Sequence, residues 1–534
     1  MHRTFHLFLS GLRRPRVLAG ALLLGLAAAA GGPSPLASAP AHAQGLPTLG
    51  DGAGLTLSAE REIGDDIARQ IYRDPDYLDD PPLVDYLQSI WQPLLAAARE
   101  RGDVSPEVAE RMAWELMINR VKEVNAFALP GGYLGVNLGL VAVTQNPQEL
   151  ASVLAHELSH VSQRHIARML SEQGKQTPWL IGAMILGALA AGSSSSSSVD
   201  VANAAIAGSQ ALAVQNQLNF SRDMEREADR VGFGVLTTAG FPGEGFVQMF
   251  DKLQQASRLN DDGSFPYLRS HPLTTERMAD MRARIPLAPA GTRPDGPRVG
   301  VAPLMAVPDE EVHALMAARA RVLAENGPDR LRVWLRQGQQ ADADAAALYA
   351  AALSASRLGQ YGLAGQLAAR LAARVGSSGQ RPAEWLQLEV GSAALRQRAG
   401  DQPTPEWLVW RDRALAGSQR AGVLLGAQAA MVSGGAKPVA ERLHAWVVDH
   451  PRDALAWQLL SGAELALGRK LRGIRADGEA RAAQFDWSGA LERFRAAQAL
   501  PPADRSADPM ELAIVDARSR QMEQRVREES ARKQ

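Results

Sequence analysis

Five residues in the middle of the chain, His156-Glu157-Leu158-Ser159-His160, have the types and spacing to bind and use a metal ion. On a helix, positions i and i+4 share a face, so both imidazoles can chelate one ion. Glu157 lies about 100° round the helix from His156, beside such an ion, where it can take a proton from a bound water. A chain with no cysteine offers no thiolate ligands, no cysteine nucleophile and no disulfides. One zinc ion per chain, held by nitrogen and oxygen donors, is therefore the expected cofactor. The alternative is a charged helix with two solvent-facing histidines.

A catalytic zinc needs a third protein ligand and one open position. A third histidine soon after the motif would require glycine at position 163 and histidine at position 166, but Gln163 and Ile166 stand there. Past Glu172 the next glutamate is Glu225, with only Asp200 and Asp223 between them. Glu225 and Asp229 are spaced one helical turn apart. Glu225 can ligate the metal while Asp229 hydrogen-bonds the far nitrogen of a ligand histidine; a solvated charged helix is the alternative. His271 has three readings: a structural or solvated loop residue, a stabiliser of the oxyanion, or a fourth ligand that keeps the site latent. Arg277 is a second oxyanion candidate.

The elements that must position these residues are legible in part. Residues 58–99 and 106–112 read as helical, and 113–119, 125–128 and 133–137 as short strands around a Pro130-Gly131-Gly132 turn. The helix carrying the motif begins with Asn146 as N-cap, Pro147 in the first turn and Glu149 at the capping-box position. Leu150, Val153, Leu154 and Val161 recur at helical spacing behind the histidines.

The chain resembles the HtpX/CAAX-prenyl-protease family of gluzincins, above all its soluble periplasmic branch with C-terminal tetratricopeptide repeats. His156 to Arg164, Asn125-Ala126-Phe127 before Gly131-Gly132, Ser221 to Asp229 and Ser270-His271-Pro272 carry the likeness. It covers about residues 55–285 strongly and the helical half more loosely. The resemblance implies a helical peptidase core with a small sheet. It also implies Glu225 as third ligand, Asp229 behind it, and an edge strand at Asn125, Ala126, Phe127 and Ala128 that binds extended substrate.

The 534 residues are too many for one ordinary core, and 46% hydrophobic with 22% charged residues suits a soluble globular protein. A net charge of −1 leaves no basic excess for nucleic acid. Arg13, Arg14 and Arg16 precede an apolar run from Val17 to Ala30, and Ala41-His42-Ala43 reads as a cleavage site. The expected order is a signal peptide at 1–43, a metallopeptidase domain at 44–285, a Pro/Gly/Arg-rich linker at 286–308, an all-α tetratricopeptide-like solenoid at 309–502, and a charged tail at 503–534. The fold class is thus mainly α, and the location periplasmic. Residues 346–375 and 454–500 resemble degenerate repeats. The apolar stretch at 177–214 reads as a buried hairpin, a lid, or a surface for peripheral membrane or client contact. The resemblance implies as partners unfolded or stalled envelope proteins, and an outer-membrane assembly machine through the repeats.

Overall fold

The computed structural model describes residues 55–172, 221–258, 264–285, 307–397, 402–506 and 508–532. The expected signal peptide, the stretch at 177–214 and nearly all of the linker lie outside the described residues.

The first half opens with α1 (Leu57–Arg73) and α2 (Pro81–Glu100). The stretch expected as one helix over 58–99 is therefore two. Asp74 ends the first, and Asp80 caps the second by accepting Leu83 N–H at 3.1 Å. Pro81 and Pro82 explain the restart: lacking N–H donors, they fit the first turn of a helix and break its interior. After α3 (Pro106–Arg111) come β1 (Glu115–Asn119), β2 (Ala126–Leu129) and β3 (Tyr133–Asn137). The sheet order is β1-β3-β2, with β1 parallel and β2 antiparallel to β3. Gly131 and Gly132, at φ 76° and 85°, turn β2 into β3, so β2 is an edge strand.

A short α4 (Leu138–Val143), unassigned by the sequence reading, leads into α5 (Pro147–Ser162). Asn146 caps α5 by accepting Glu149 N–H at 2.9 Å. The Glu149 carboxylate reaches past the cap to Gln145 N–H, and pairs with Lys252 at 2.6 Å. Helix α5 is buried on nearly all faces and forms the axis of this half. Around it stand α6 (His165–Glu172), α7 (Arg222–Thr238), α8 (Glu244–Arg258), α9 (Tyr267–Ser270) and α10 (Thr275–Arg284).

The second half is helical throughout its described residues: α11 (Glu310–Leu323), α12 (Pro328–Gln339), α13 (Ala345–Arg357), α14 (Tyr361–Arg374), α15 (Gln380–Gln397) and α16 (Pro405–Ala416). There follow α17 (Arg420–Val432), α18 (Ala436–Asp449), α19 (Ala454–Ala466), α20 (Lys470–Ala483), α21 (Trp487–Gln498), α22 (Pro502–Ser506) and α23 (Pro509–Arg532). The pairs α13/α14, α17/α18 and α19/α20 share one design, 13- and 14-residue helices. Their turns contain Gly359, Gly434 and Gly468 at φ 76°, 82° and 75°. Each glycine takes the left-handed conformation that closes a helix cheaply. The last two pairs start 34 positions apart, at 420 and 454, whereas the first starts at 345 and is out of phase.

One core runs across the expected boundary at 309. Leu315, Met316 and Ala318 of α11 pack into the same cluster as Leu83, Leu140 and Leu154. Beside them Arg319 grips Asp80 through two bonds of 2.7 and 2.6 Å and Glu389 through one of 2.7 Å. Within the charged C-terminal segment, which reads from sequence as a helix or a frayed tail, α23 buries Val515 and Met522 in one cluster with Phe494. Its Glu529 returns to Arg69 of α1 at 2.9 Å.

Candidate metal centre

Helix α5 presents His156 and His160 on one face, with their Nε2 atoms 3.0 Å apart. Helix α7, capped by Ser221, brings Glu225 opposite them. Its Oε1 lies 3.4 Å from His160 Nε2 and its Oε2 3.6 Å from His156 Nε2. Gly232 allows this approach: a Cβ there would sit 3.1 Å from Ala155 O and 3.2 Å from His156 Cα. His271, just past α9, places Nδ1 3.0 Å from Glu225 Oε1 and 3.4 Å from His156 Nε2. All four residues are buried, with donor atoms within 4.8 Å of one another.

These donors fit a zinc ion. Ligand atoms at 2.0–2.1 Å in tetrahedral array stand about 3.4 Å apart. Separations from 3.0 to 3.6 Å are found here, with Glu225 presenting Oε2 to His156 and Oε1 to His160 and His271. His271 Nδ1 lies among these donors, and its Nε2 faces Glu157 Oε1 at 3.4 Å. The imidazole stacks on Tyr267 with ring centroids 4.5 Å apart.

The surrounding charges are arranged in layers. Asp229 Oδ1 faces His156 Nδ1 at 3.0 Å. Arg277, an oxyanion candidate from sequence, directs its guanidinium to the rear of this group. Its Nε and Nη2 donate to Asp229 at 2.6 and 2.8 Å, and Nη1 meets Glu225 Oε2 at 2.7 Å and Pro272 O at 2.8 Å. Burial would lower the His156 pKa, but hydrogen bonds and charge from Asp229 and Glu225 outweigh it and hold it up at about 9. Burial would raise Glu225, yet the facing His271, His156 and His160 hold it well below the usual carboxylate range. For His160 burial wins, and its pKa falls well below that of a free imidazole.

Glu157 stands between this ring and the sheet. Its Oε2 accepts the N–H of Ala128, in edge strand β2, at 2.9 Å. Burial raises its carboxyl above the ordinary range, against the pull of His271 and His156. Of the expected strand residues, Ala126, Phe127 and Ala128 lie within β2, and Asn125 precedes it, its carbonyl bonded to Asn137 N–H at 3.0 Å.

Sequence reasoning missed His165 and Glu227. His165 Nδ1 lies 2.9 Å from His160 Nδ1, and its Nε2 lies 3.1 Å from Glu227 Oε2. Burial pushes the His165 imidazole down to about 4. The alternation Glu225, Glu227, Asp229 was a visible signal for the second of these.

Comparison with known proteins agrees with this geometry. Residues 94–285 match the model of peptidase family M48. The chain is 30% identical over 463 residues to the Vibrio cholerae protein named as a beta-barrel assembly-enhancing protease, covering 85% of this chain and 88% of that one. To the beta-barrel assembly-enhancing protease of Escherichia coli K12 it is 34% identical over 245 residues, 45% of this chain and 47% of the relative. The mitochondrial metalloendopeptidase OMA1 of Saccharomyces cerevisiae is 24% identical over 212 residues, 39% of this chain and 57% of that protein. With its buried histidine–glutamate cluster and a likeness that spans most of both chains, the protein belongs to peptidase family M48 and is a metallopeptidase similar to the beta-barrel assembly-enhancing proteases.

Proposed function

We propose that the chain is an exported zinc endopeptidase that degrades, or helps to assemble, misfolded or stalled outer-membrane proteins of the bacterial envelope. One observation carries this reading: Glu157 lies between an edge strand, through Ala128 N–H, and a ring of four metal donors. His156, His160 and Glu225 would hold one zinc ion, which when bound supplies Lewis acidity and an acidified water. Glu157 takes the proton from the attacking water and delivers it to the leaving amine. Its raised pKa suits both steps. Asp229 Oδ1, 3.0 Å from His156 Nδ1, is placed to keep Nε2 turned toward the ion. Arg277 acts as a positioning residue, fixing Asp229 and Glu225 together.

Strand β2 suits an extended substrate. It pairs with β3 on one side, and its main chain can add a further strand on the other. Such recognition favours unfolded segments, consistent with relatives named for β-barrel assembly. The hairpins with glycine turns support a tetratricopeptide-like surface for clients or for an assembly machine. The basic cluster and apolar run at the N-terminus support export to the periplasm with cleavage near Ala43. No helix among the described residues is long and apolar enough to cross a membrane.

His271 favours a second reading, a chaperone or scaffold whose peptidase is latent, because its Nδ1 lies close enough to the other donors to serve as a fourth ligand. One set of measurements tests both. The purified protein should carry one zinc per chain and cleave an unfolded β-barrel protein in a chelator-sensitive manner. Glu157→Gln should lose that cleavage by about 10²–10⁴-fold. A chain without zinc and indifferent to chelators would refute the proposal. Restoration of envelope assembly by Glu157→Gln as well as by wild type would instead favour the scaffold.

A further inference from the structure

His165 begins where the central helix stops. Had α5 continued, His165 would lie five positions beyond His160, about 140° round the helix and directed away from it. The chain instead breaks after Ser162, and Arg164 adopts a left-handed conformation at φ 53°. A non-glycine residue there is uncommon and must be held by its surroundings. Arg164 is anchored by Nε to Glu60 Oε2 at 2.9 Å and by Nη2 to the Leu55 carbonyl. The break turns the buried His165 ring back onto His160, Nδ1 to Nδ1 at 2.9 Å. Its other nitrogen meets Glu227 at 3.1 Å, and Arg168 holds the same carboxylate oxygen at 2.8 Å.

We propose that His165 and Glu227 form a relay that sets the tautomer and ring orientation of His160 as a metal ligand. The inference rests on the reading that His160 binds the ion through Nε2. That leaves the proton on His160 Nδ1, which needs an acceptor. His165 Nδ1 is that acceptor, so the His165 proton must sit on Nε2, where Glu227 accepts it. No other assignment of neutral rings satisfies both short contacts, because each imidazole has one donor and one acceptor.

The two ligand histidines are thereby treated unequally. His156 faces the carboxylate of Asp229 directly, whereas His160 faces a neutral imidazole with its carboxylate one ring further out. Glu227 is 28% exposed, so this arm of the site reaches toward solvent. Three of the four acidic residues of α7 divide the work: Glu225 ligates, Asp229 orients one histidine directly, and Glu227 orients the other through His165.

The test is zinc affinity of the full mature chain, measured by competition with a chelator of known strength, alongside the melting temperature of the zinc-free protein. His165→Leu should weaken zinc binding about 10- to 100-fold, the usual effect of losing a partner behind a ligand. His165→Gln, whose carboxamide can accept from His160 and donate to Glu227, should recover most of the loss. Glu227→Ala should weaken binding several-fold in the wild-type background and add nothing to His165→Leu, because the two act through one chain. Wild-type affinity in His165→Leu with a lowered melting temperature would show a merely structural role and overturn the relay. So would equal losses in the Leu and Gln variants. If His165→Leu does not fold, unchanged affinity in Glu227→Ala overturns it. Absence of zinc from the wild-type protein is a different failure, that of the metal reading itself.

Discussion

Replacing His271 with alanine should raise peptidase activity about ten- to a hundredfold, if a closed fourth position keeps the enzyme latent. The magnitude follows from what His271 must give up to leave the donor ring. Its stack on Tyr267, at 4.5 Å between centroids, is worth about 1 kcal/mol. In the closed form its Nδ1, 3.0 Å from Glu225 Oε1, would face the ion as a fourth donor. The stack and a bond to the ion together would hold the closed form by about 1.4–2.8 kcal/mol, roughly ten- to a hundredfold in population. Hydration of the displaced ring offsets part of this, which sets the lower limit. The assay is the initial rate of hydrolysis of an unfolded protein, with zinc content measured on the same samples. Glu157→Gln in the His271→Ala background supplies the blank. Zinc affinity should fall in the single variant, as a four-donor site becomes a three-donor one. A lower rate at unchanged zinc content would refute the reasoning and assign His271 to catalysis. An unchanged rate would remove both roles.

Two further predictions concern stability. Burial lifts Asp85 to about 6 from 3.8, despite its bond from Ala421 N–H and the nearby Arg420. A carboxyl raised on folding contributes most below its unfolded pKa, and that contribution is lost as the pH rises through about 6. Asp85→Asn keeps the acceptor without the charge, so it should stabilise at pH 8 by at most about 3 kcal/mol and have no effect near pH 4. Melting temperatures that differ equally at the two pH values would contradict this. Arg319→Met leaves Asp80 buried without its partner and should cost about 3–5 kcal/mol in denaturant unfolding. A loss under about 1 kcal/mol would show that the joint between the halves does not depend on this pair.

The sequence by itself determined what depends on neighbours a few positions apart. The spacing of His156, Glu157 and His160, the Asn146 cap and the Pro130-Gly131-Gly132 turn are local, and the structure bears out each element near its expected bounds. Scarcity of carboxylates between Glu172 and Glu225 was enough to direct attention to Glu225. Tertiary structure decided the rest, because contact across long separations leaves no periodic trace. His271 meets His156 over 115 positions, and Arg319 meets Asp80 over 239. Arg277 reads from sequence as a candidate cation for an oxyanion, and its pairing with Asp229 and Glu225 is set only by the tertiary structure. The left-handed Arg164 turns His165 back on His160, a turn that no local pattern in the sequence marks. The α11 helix looked like the start of a separate unit because its sequence is helical, but helical propensity does not tell which core a helix enters. Burial of Leu315 and Met316 beside Leu83 and Leu140 settles that it enters the peptidase core.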